Sequence, residues 1–132
     1  MPRYVILTHD HPFPHWDLML EEASVLRTWR LMSEPGPART VATEQLGDHR
    51  IAYLDYEGPV SGGRGSVARW DYGSYEKVTS RRFRLQGERG LLFAELATGN
   101  EGDSWVFTGI EQRAPNLANE SSSESAEPGC AP

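Results

Sequence analysis

The segment that decides the fold is the seven-residue stretch His15-Trp16-Asp17-Leu18-Met19-Leu20-Glu21. Apolar side chains occupy every second position, which is typical of a β-strand with one buried face. The even-numbered residues would form that apolar face. The opposite face would then carry His15, Asp17, Met19 and Glu21. The stretch therefore predicts a sheet with a hydrophobic core on one side and titratable side chains on the other.

Short strands are predicted through most of the chain. Segments rich in β-branched and aromatic residues recur about every 8–12 residues, with glycine-containing turns between many of them, which indicates a sandwich or a barrel. Helix signals are weak, and one candidate helical turn lies over Thr43–Leu46. The further predicted strands are Tyr4–Thr8, Val25–Met32, Ile51–Tyr56, Ser66–Trp70, Ser74–Thr79, Phe83–Gln86, Leu91–Leu96 and Trp105–Ile110.

Composition narrows the class of protein. The 132 residues carry a formal net charge of −6 and a single cysteine, Cys130. A lone cysteine excludes a disulfide framework and cysteine-rich zinc sites, and it fits a reducing, cytoplasmic setting. The acidity argues against nonspecific coating of nucleic acid but leaves recognition of one strand end open. No apolar run approaches the ~18–20 residues of a membrane span, so no membrane partner is expected.

The chain divides into a predicted domain and a predicted tail. Residues 1–113 contain all the predicted strands. Residues 114–132 are rich in Ser, Glu, Ala and Pro and have few side chains to bury, so we expect this tail to be disordered.

All four histidines fall within the first 49 residues. On one strand face, His15 and Asp17 lie about 6.6–7 Å apart at Cα, so their side chains can converge on one ion. Imidazole and carboxylate are the ligands of an open, catalytic type of divalent metal site. Taken singly, each of the other histidines is more often structural than a metal ligand. His11 would be a solvent-facing loop residue, His9 would cap a strand end, and His49 would be a turn residue. Taken together, they make a metal site an equal alternative.

The glycine-rich segment Ser61–Ser66 has two interpretations. Its backbone N–H groups can cradle a phosphate, with Arg64 assisting. It lacks the Lys-Ser/Thr pair and the following helix of a P-loop. A tight connection between two strands is therefore the more common alternative.

Several segments, taken in order, match one family. His15–Glu21 is similar to the strand LHYDLRLE, and His9-Asp10 is similar to the motif that precedes that strand. Val25–Trp29, Asp48–Gly58 and Val60–Glu76 match three further segments in the same order. Together they resemble the 3′-phosphoesterase domain of bacterial DNA ligase D and its stand-alone relatives, from about Tyr4 to Leu96.

The resemblance implies a compact antiparallel β-barrel with little helix. It also implies a bound Mn²⁺, or another divalent metal, and removal of a terminal ribonucleoside and then of the 3′-phosphate from DNA 3′ ends. Carried over residue by residue, the metal ligands are His9, His15 and Asp17.

The resemblance also assigns residues around the metal. His49 and Tyr53 would act on the phosphate side as catalytic residues, and Glu21 would support the site. The implied partners are DNA 3′ ends or a primer–template, with a DNA repair ligase or an end-binding protein as a further candidate.

Two departures from the family pattern concern phosphate binding. Met19 stands where the family has Arg, and Leu7 stands where it has Gln. The glycine-rich segment is also shortened. Loss of one arginine–phosphate contact removes a charge-assisted bond of roughly 1.5–3 kcal/mol. Arg50 and Arg64 are the candidates to replace it.

Three functions remain open from the sequence. The first is a metal-dependent 3′-phosphoesterase whose activity is reduced by Met19 and Leu7. The second is a weak or inactive module that binds DNA ends or a repair partner. The third treats His15, Asp17 and His49 as the two-histidine, one-carboxylate triad of an iron oxygenase. The short spacing and the small chain disfavour this third function.

Overall fold

The computed structural model describes residues 1–109. Within that range the chain forms nine strands and one short 3₁₀ helix, Ile51–Leu54. The strands, in chain order, are β1 Arg3–His9, β2 His15–Glu22, β3 Val25–Leu31, β4 Arg39–Arg50, β5 Gly58–Pro59, β6 Ser66–Lys77, β7 Arg82–Gly87, β8 Gly90–Ala97 and β9 Asp103–Gly109. The predicted domain end at residue 113 and the predicted tail, 114–132, lie outside the described residues.

Eight of these strands close into an antiparallel barrel. The order around the ring is β1-β2-β3-β4-β9-β8-β7-β6, and β6 returns to pair with β1. The short strand β5 pairs with the beginning of β6, outside the ring. Pairing of β1 with β6 satisfies two strands that would otherwise be sheet edges. The predicted class, a mostly-β barrel with little helix, is confirmed.

Three local predictions were wrong. Ser66–Trp70 and Ser74–Thr79, predicted as two strands, form the single strand β6. The candidate helical turn Thr43–Leu46 lies inside the twelve-residue strand β4. That strand is mostly exposed and polar, so its conformation is set by pairing with β3 and β9 rather than by its own apolar pattern. The predicted strand Ile51–Tyr56 instead begins with the 3₁₀ helix, whose i, i+3 spacing turns both Ile51 and Leu54 towards apolar neighbours.

The barrel interior holds the main hydrophobic core. Leu18 and Leu20 of β2 are fully buried there, which confirms the apolar face predicted for that strand. At its centre the rings of Trp29 and Trp105 pack edge to face, with centroids 5.2 Å apart. Because β2 alternates, the residues between these core positions must point away from the interior.

A second apolar cluster lies on the outside of the barrel, and we call it the outer cluster. The segment 51–60 folds over β1, β2 and the start of β6 and covers it. Its buried members are Val5, Leu7, Met19, Leu26, Leu54 and Val67. Leu7 and Met19, the two departures from the family pattern, are thus fully enclosed, at 0% and 1% exposure. Both help to hold segment 51–60 on the barrel.

No helix among residues 1–109 is both long enough and apolar enough to cross a membrane.

The outer cluster predicts the effect of restoring the family's arginine at position 19. Met19→Arg should lower the free energy of unfolding by about 3–5 kcal/mol, because it buries an unpaired guanidinium among apolar side chains. Met19→Leu nearly conserves volume and should cost less than about 1.5 kcal/mol. Urea unfolding of the three proteins measures both differences. Equal stability of Met19→Arg and the wild type would show that the cluster is not closed around position 19.

Candidate metal centre

The β1–β2 hairpin brings three titratable side chains to one place. His9 is paired directly with His15, and Asp17 is paired with Leu7, two positions further along β1. Directly opposed residues of an antiparallel pair project from the same face of the sheet. Leu7 belongs to the outer cluster. His9, His15 and Asp17 therefore lie together on the outside of the barrel, at the loop end of the hairpin.

The ligand atoms of these three residues converge. One atom from each of them lies within 4.8 Å of the others. His9 Nδ1 is 3.4 Å from one Asp17 carboxylate oxygen, and His15 Nε2 is 3.3 Å from the other. The two imidazole rings are 4.9 Å apart between centroids. The structure thus brings together the three residues that the sequence selected as metal ligands.

Backbone carbonyls fix the orientation of both imidazoles. His9 Nε2 donates to the Arg64 carbonyl at 2.8 Å, and His15 Nδ1 donates to the Phe13 carbonyl at 2.7 Å. A carbonyl oxygen can only accept, so these two nitrogens carry the protons in the neutral rings. The lone pairs are then on His9 Nδ1 and His15 Nε2, which both face Asp17. Metal-binding histidines are oriented by the same type of outer hydrogen bond.

Two buried atoms fit a bound cation. His15 Nε2 and Asp17 Oδ1 are inaccessible to solvent and have no hydrogen-bond partner. A neutral imidazole lone pair facing a carboxylate oxygen leaves two acceptors without a donor, which is costly when both are buried. A divalent cation between them would satisfy both atoms. Two imidazoles and one carboxylate also leave coordination positions for water or substrate.

The comparisons with known proteins show the family of the chain. The model of the family described as DNA Ligase D 3'-phosphoesterase domain matches residues 7–108. The chain belongs to this family. It is also 33% identical over 95 residues to the multifunctional non-homologous end joining protein LigD of Pseudomonas aeruginosa. That match covers 68% of this chain and 11% of the LigD protein, so the chain corresponds to a small part of that relative.

We call His9, His15 and Asp17 the metal trio. His49 and Tyr53, which the resemblance assigns to the phosphate side, lie beside the outer cluster rather than within the metal trio. His49 is half-buried, and its Nδ1 donates to the Gly47 carbonyl at 2.9 Å. Its ring packs edge-on to Tyr53, with centroids 5.8 Å apart. Tyr53 in turn packs against the outer cluster and Tyr56.

The two arginines selected for phosphate binding have different surroundings. Arg50 lines a cavity of about 240 Å³ together with Tyr53 and Tyr56. Arg64 contributes its carbonyl to His9, while its guanidinium turns back to the carbonyl and hydroxyl of Ser61 at 2.7 and 3.0 Å. The glycine-rich segment therefore contacts the metal trio through its backbone.

Glu21 is not brought to the metal trio. One of its carboxylate oxygens accepts a hydrogen bond from the backbone N–H of Arg3 at 2.8 Å. Glu21 lies four residues beyond Asp17, about 13 Å along the strand. This hydrogen bond links β1 and β2 at the end of the pair that lies away from His9 and His15. The supporting role that the resemblance implied for Glu21 stays a prediction.

Sequence reasoning missed Arg30, which the structure pairs directly with Asp17 across β2 and β3. The signal was present in the β2–β3 hairpin. Its two-residue turn, Ala23-Ser24, sets Glu22 opposite Val25, and counting back along both strands sets Asp17 opposite Arg30. Without the turn position the register could not be counted.

The geometry predicts that a divalent metal stabilises the fold through His15. At a Mn²⁺ concentration of about 100 times Kd, the wild type should gain about 2.7 kcal/mol. His15→Ala should lose this gain, because it removes a buried ligand atom. His11→Ala, an exposed histidine of the same loop, should retain it. Thermal melts with and without Mn²⁺ measure the three responses.

A wild-type melting temperature that responds to no divalent ion would contradict the metal site.

Proposed function

We propose that this chain is a divalent-metal-dependent phosphoesterase that processes DNA 3′ ends by removing a 3′-terminal ribonucleoside or a 3′-phosphate. The observation that carries the proposal is the convergence of His9, His15 and Asp17, with two of their buried ligand atoms lacking any partner. These residues fall within the segment that matches the 3′-phosphoesterase family. Family membership supports a role in DNA end processing, and the site supports metal dependence.

His9, His15 and Asp17 would hold the metal, for which Mn²⁺ is our first choice. A bound divalent ion would supply Lewis-acid polarisation of a phosphoryl oxygen and a water of lowered pKa. The chain's own contribution is rigidity. The Arg64 and Phe13 carbonyls keep the two imidazoles turned towards Asp17, so the ligands need little rearrangement on binding.

His49 is the proposed proton donor to the leaving oxygen or stabiliser of the developing charge. The hydrogen bond from Nδ1 to Gly47 holds the ring and leaves Nε2 to exchange a proton with substrate. Tyr53 packs against His49 and would hold it on the phosphate side. Arg50 and Arg64 are the further proposed phosphate contacts, and both guanidiniums lie near the segment that covers the outer cluster.

The proposed substrate is a single DNA end or a primer–template. An overall charge of −6 suits recognition of one terminus better than coverage of a duplex. Because the similar LigD protein is named for non-homologous end joining, we propose that this chain acts with a repair ligase or an end-binding protein. The expected compartment is the cytoplasm, which the single cysteine fits.

A second function, a module that binds DNA ends with little or no turnover, is favoured by one observation. Met19 and Leu7 replace two polar residues of the family and are enclosed in the outer cluster. These positions therefore offer the phosphate no donor.

Cleavage of an end-labelled primer–template tests the proposal. With Mn²⁺, the wild type should remove a 3′-phosphate or a 3′-ribonucleoside, and EDTA should abolish the reaction. Asp17→Asn should lower the rate at least about 100-fold, because it removes the anionic ligand. His11→Ala should retain it. Mn²⁺ binding without turnover on either end would reject the phosphoesterase and support the binding module.

A further inference from the structure

Arg30 projects from the same face as the metal trio. It is paired directly with Asp17 across β2 and β3. Its neighbours Trp29 and Leu31 point into the barrel core, so Arg30 points outward. Directly opposed residues place their Cβ atoms about 4.5–5.5 Å apart. A guanidinium on this side chain is therefore within reach of any group bound at Asp17.

The guanidinium is held beside His15 by an aromatic contact. Arg30 Cζ lies 5.5 Å from the centre of the Phe13 ring. The same ring packs edge-on to His15, with centroids 5.4 Å apart. A cation over an aromatic face is attracted to it and loses mobility. Phe13 thus orients both the imidazole, through its carbonyl, and the guanidinium, through its ring.

The donors of Arg30 are poorly satisfied. Its Nε is buried and has no hydrogen-bond partner. The acid that approaches it is Glu44, whose carboxylate is 3.9 Å from Nη1 and whose side chain is 65% exposed. Within residues 1–109, no ion pair links Arg30 to Asp17. The Arg30 side chain is 23% exposed and barely paired, so its guanidinium keeps donors free for an acceptor that is not part of the described protein.

We propose that Arg30 binds the phosphate group of the substrate beside the metal trio, in place of the arginine that the family carries at position 19. The inference rests on the proposed phosphoesterase function. A guanidinium next to a divalent cation is repelled by it unless an anion lies between them. A phosphate has several oxygens and can contact both, and the planar guanidinium matches two of those oxygens at once.

The side chains of the other arginines near the site lie against other groups. Arg64 donates to Ser61 through two nitrogens. Arg69 stacks on Tyr72 and lies 3.8 Å from Asp55, a carboxylate already bound by Arg3. Arg50 lines the cavity at Tyr53. Among these four, Arg30 is the arginine whose guanidinium lies over a ring that packs on His15.

Calorimetric titration of inorganic phosphate into the Mn²⁺-loaded full chain tests this role without requiring turnover. Arg30→Gln should weaken phosphate binding by about 10–100-fold, the loss expected for one charge-assisted contact. Arg30→Lys keeps the positive charge but lacks the planar group that can contact two oxygens at once. Its phosphate affinity should therefore fall between those of Arg30→Gln and the wild type. Mn²⁺ affinity, titrated separately, should stay within about threefold in both variants. Arg84→Gln removes an equally charged, partly exposed residue on β7 and should bind phosphate as the wild type does.

Equal phosphate affinity in Arg30→Gln and the wild type, or no phosphate binding by the Mn²⁺-loaded wild type, would overturn the inference. Loss of Mn²⁺ from both Arg30 variants would also overturn it, since Arg30 would then act on the metal trio. Failure of the proposed function is distinguishable. If the wild type binds phosphate through Arg30 but cleaves no 3′ end, the phosphoesterase activity is rejected while the phosphate site stands.

Discussion

The register of the β1–β2 hairpin is the constraint on which the rest of the structure depends. It sets His9 opposite His15, and the adjoining β2–β3 hairpin sets Asp17 opposite Arg30. A slip of one residue would turn His15 and Asp17 into the barrel and bring Leu18 and Leu20 to the surface. The burial of those leucines therefore selects the register, and the register assembles the site. Core packing and site geometry are two consequences of one alternating strand.

The site is prepared by groups that are not themselves ligands. The loop from residue 10 to residue 14 supplies the Phe13 carbonyl that orients His15, and the glycine-rich segment supplies the Arg64 carbonyl that orients His9. Asp10 joins these two loops, since its carboxylate accepts a hydrogen bond from the Ser66 N–H at 2.8 Å. Gly65 packs so closely against Asp10 that a Cβ there would overlap it. The glycine-rich segment is thus a close-packed support for the imidazole.

The sequence predicted the parts of this arrangement that follow from local patterns. Alternation in β2 identified a strand and the faces of His15 and Asp17, and the ordered motifs identified the family. Pairing with distant strands decided the rest. The polar strand β4 has no apolar signal of its own. The 3₁₀ helix at Ile51 forms because segment 51–60 covers the outer cluster. Arg30 was missed because its relation to Asp17 depends on the hairpin register.

The most direct test of the central claim is anomalous diffraction at the manganese edge from crystals grown with Mn²⁺. We expect one peak about 2.0–2.3 Å from His9 Nδ1, His15 Nε2 and an Asp17 carboxylate oxygen. The Arg64 and Phe13 carbonyls should remain bonded to the opposite nitrogens of the two rings. An absence of anomalous density between these three side chains, with His15 Nε2 bonded directly to Asp17, would contradict the claim that they form a metal site.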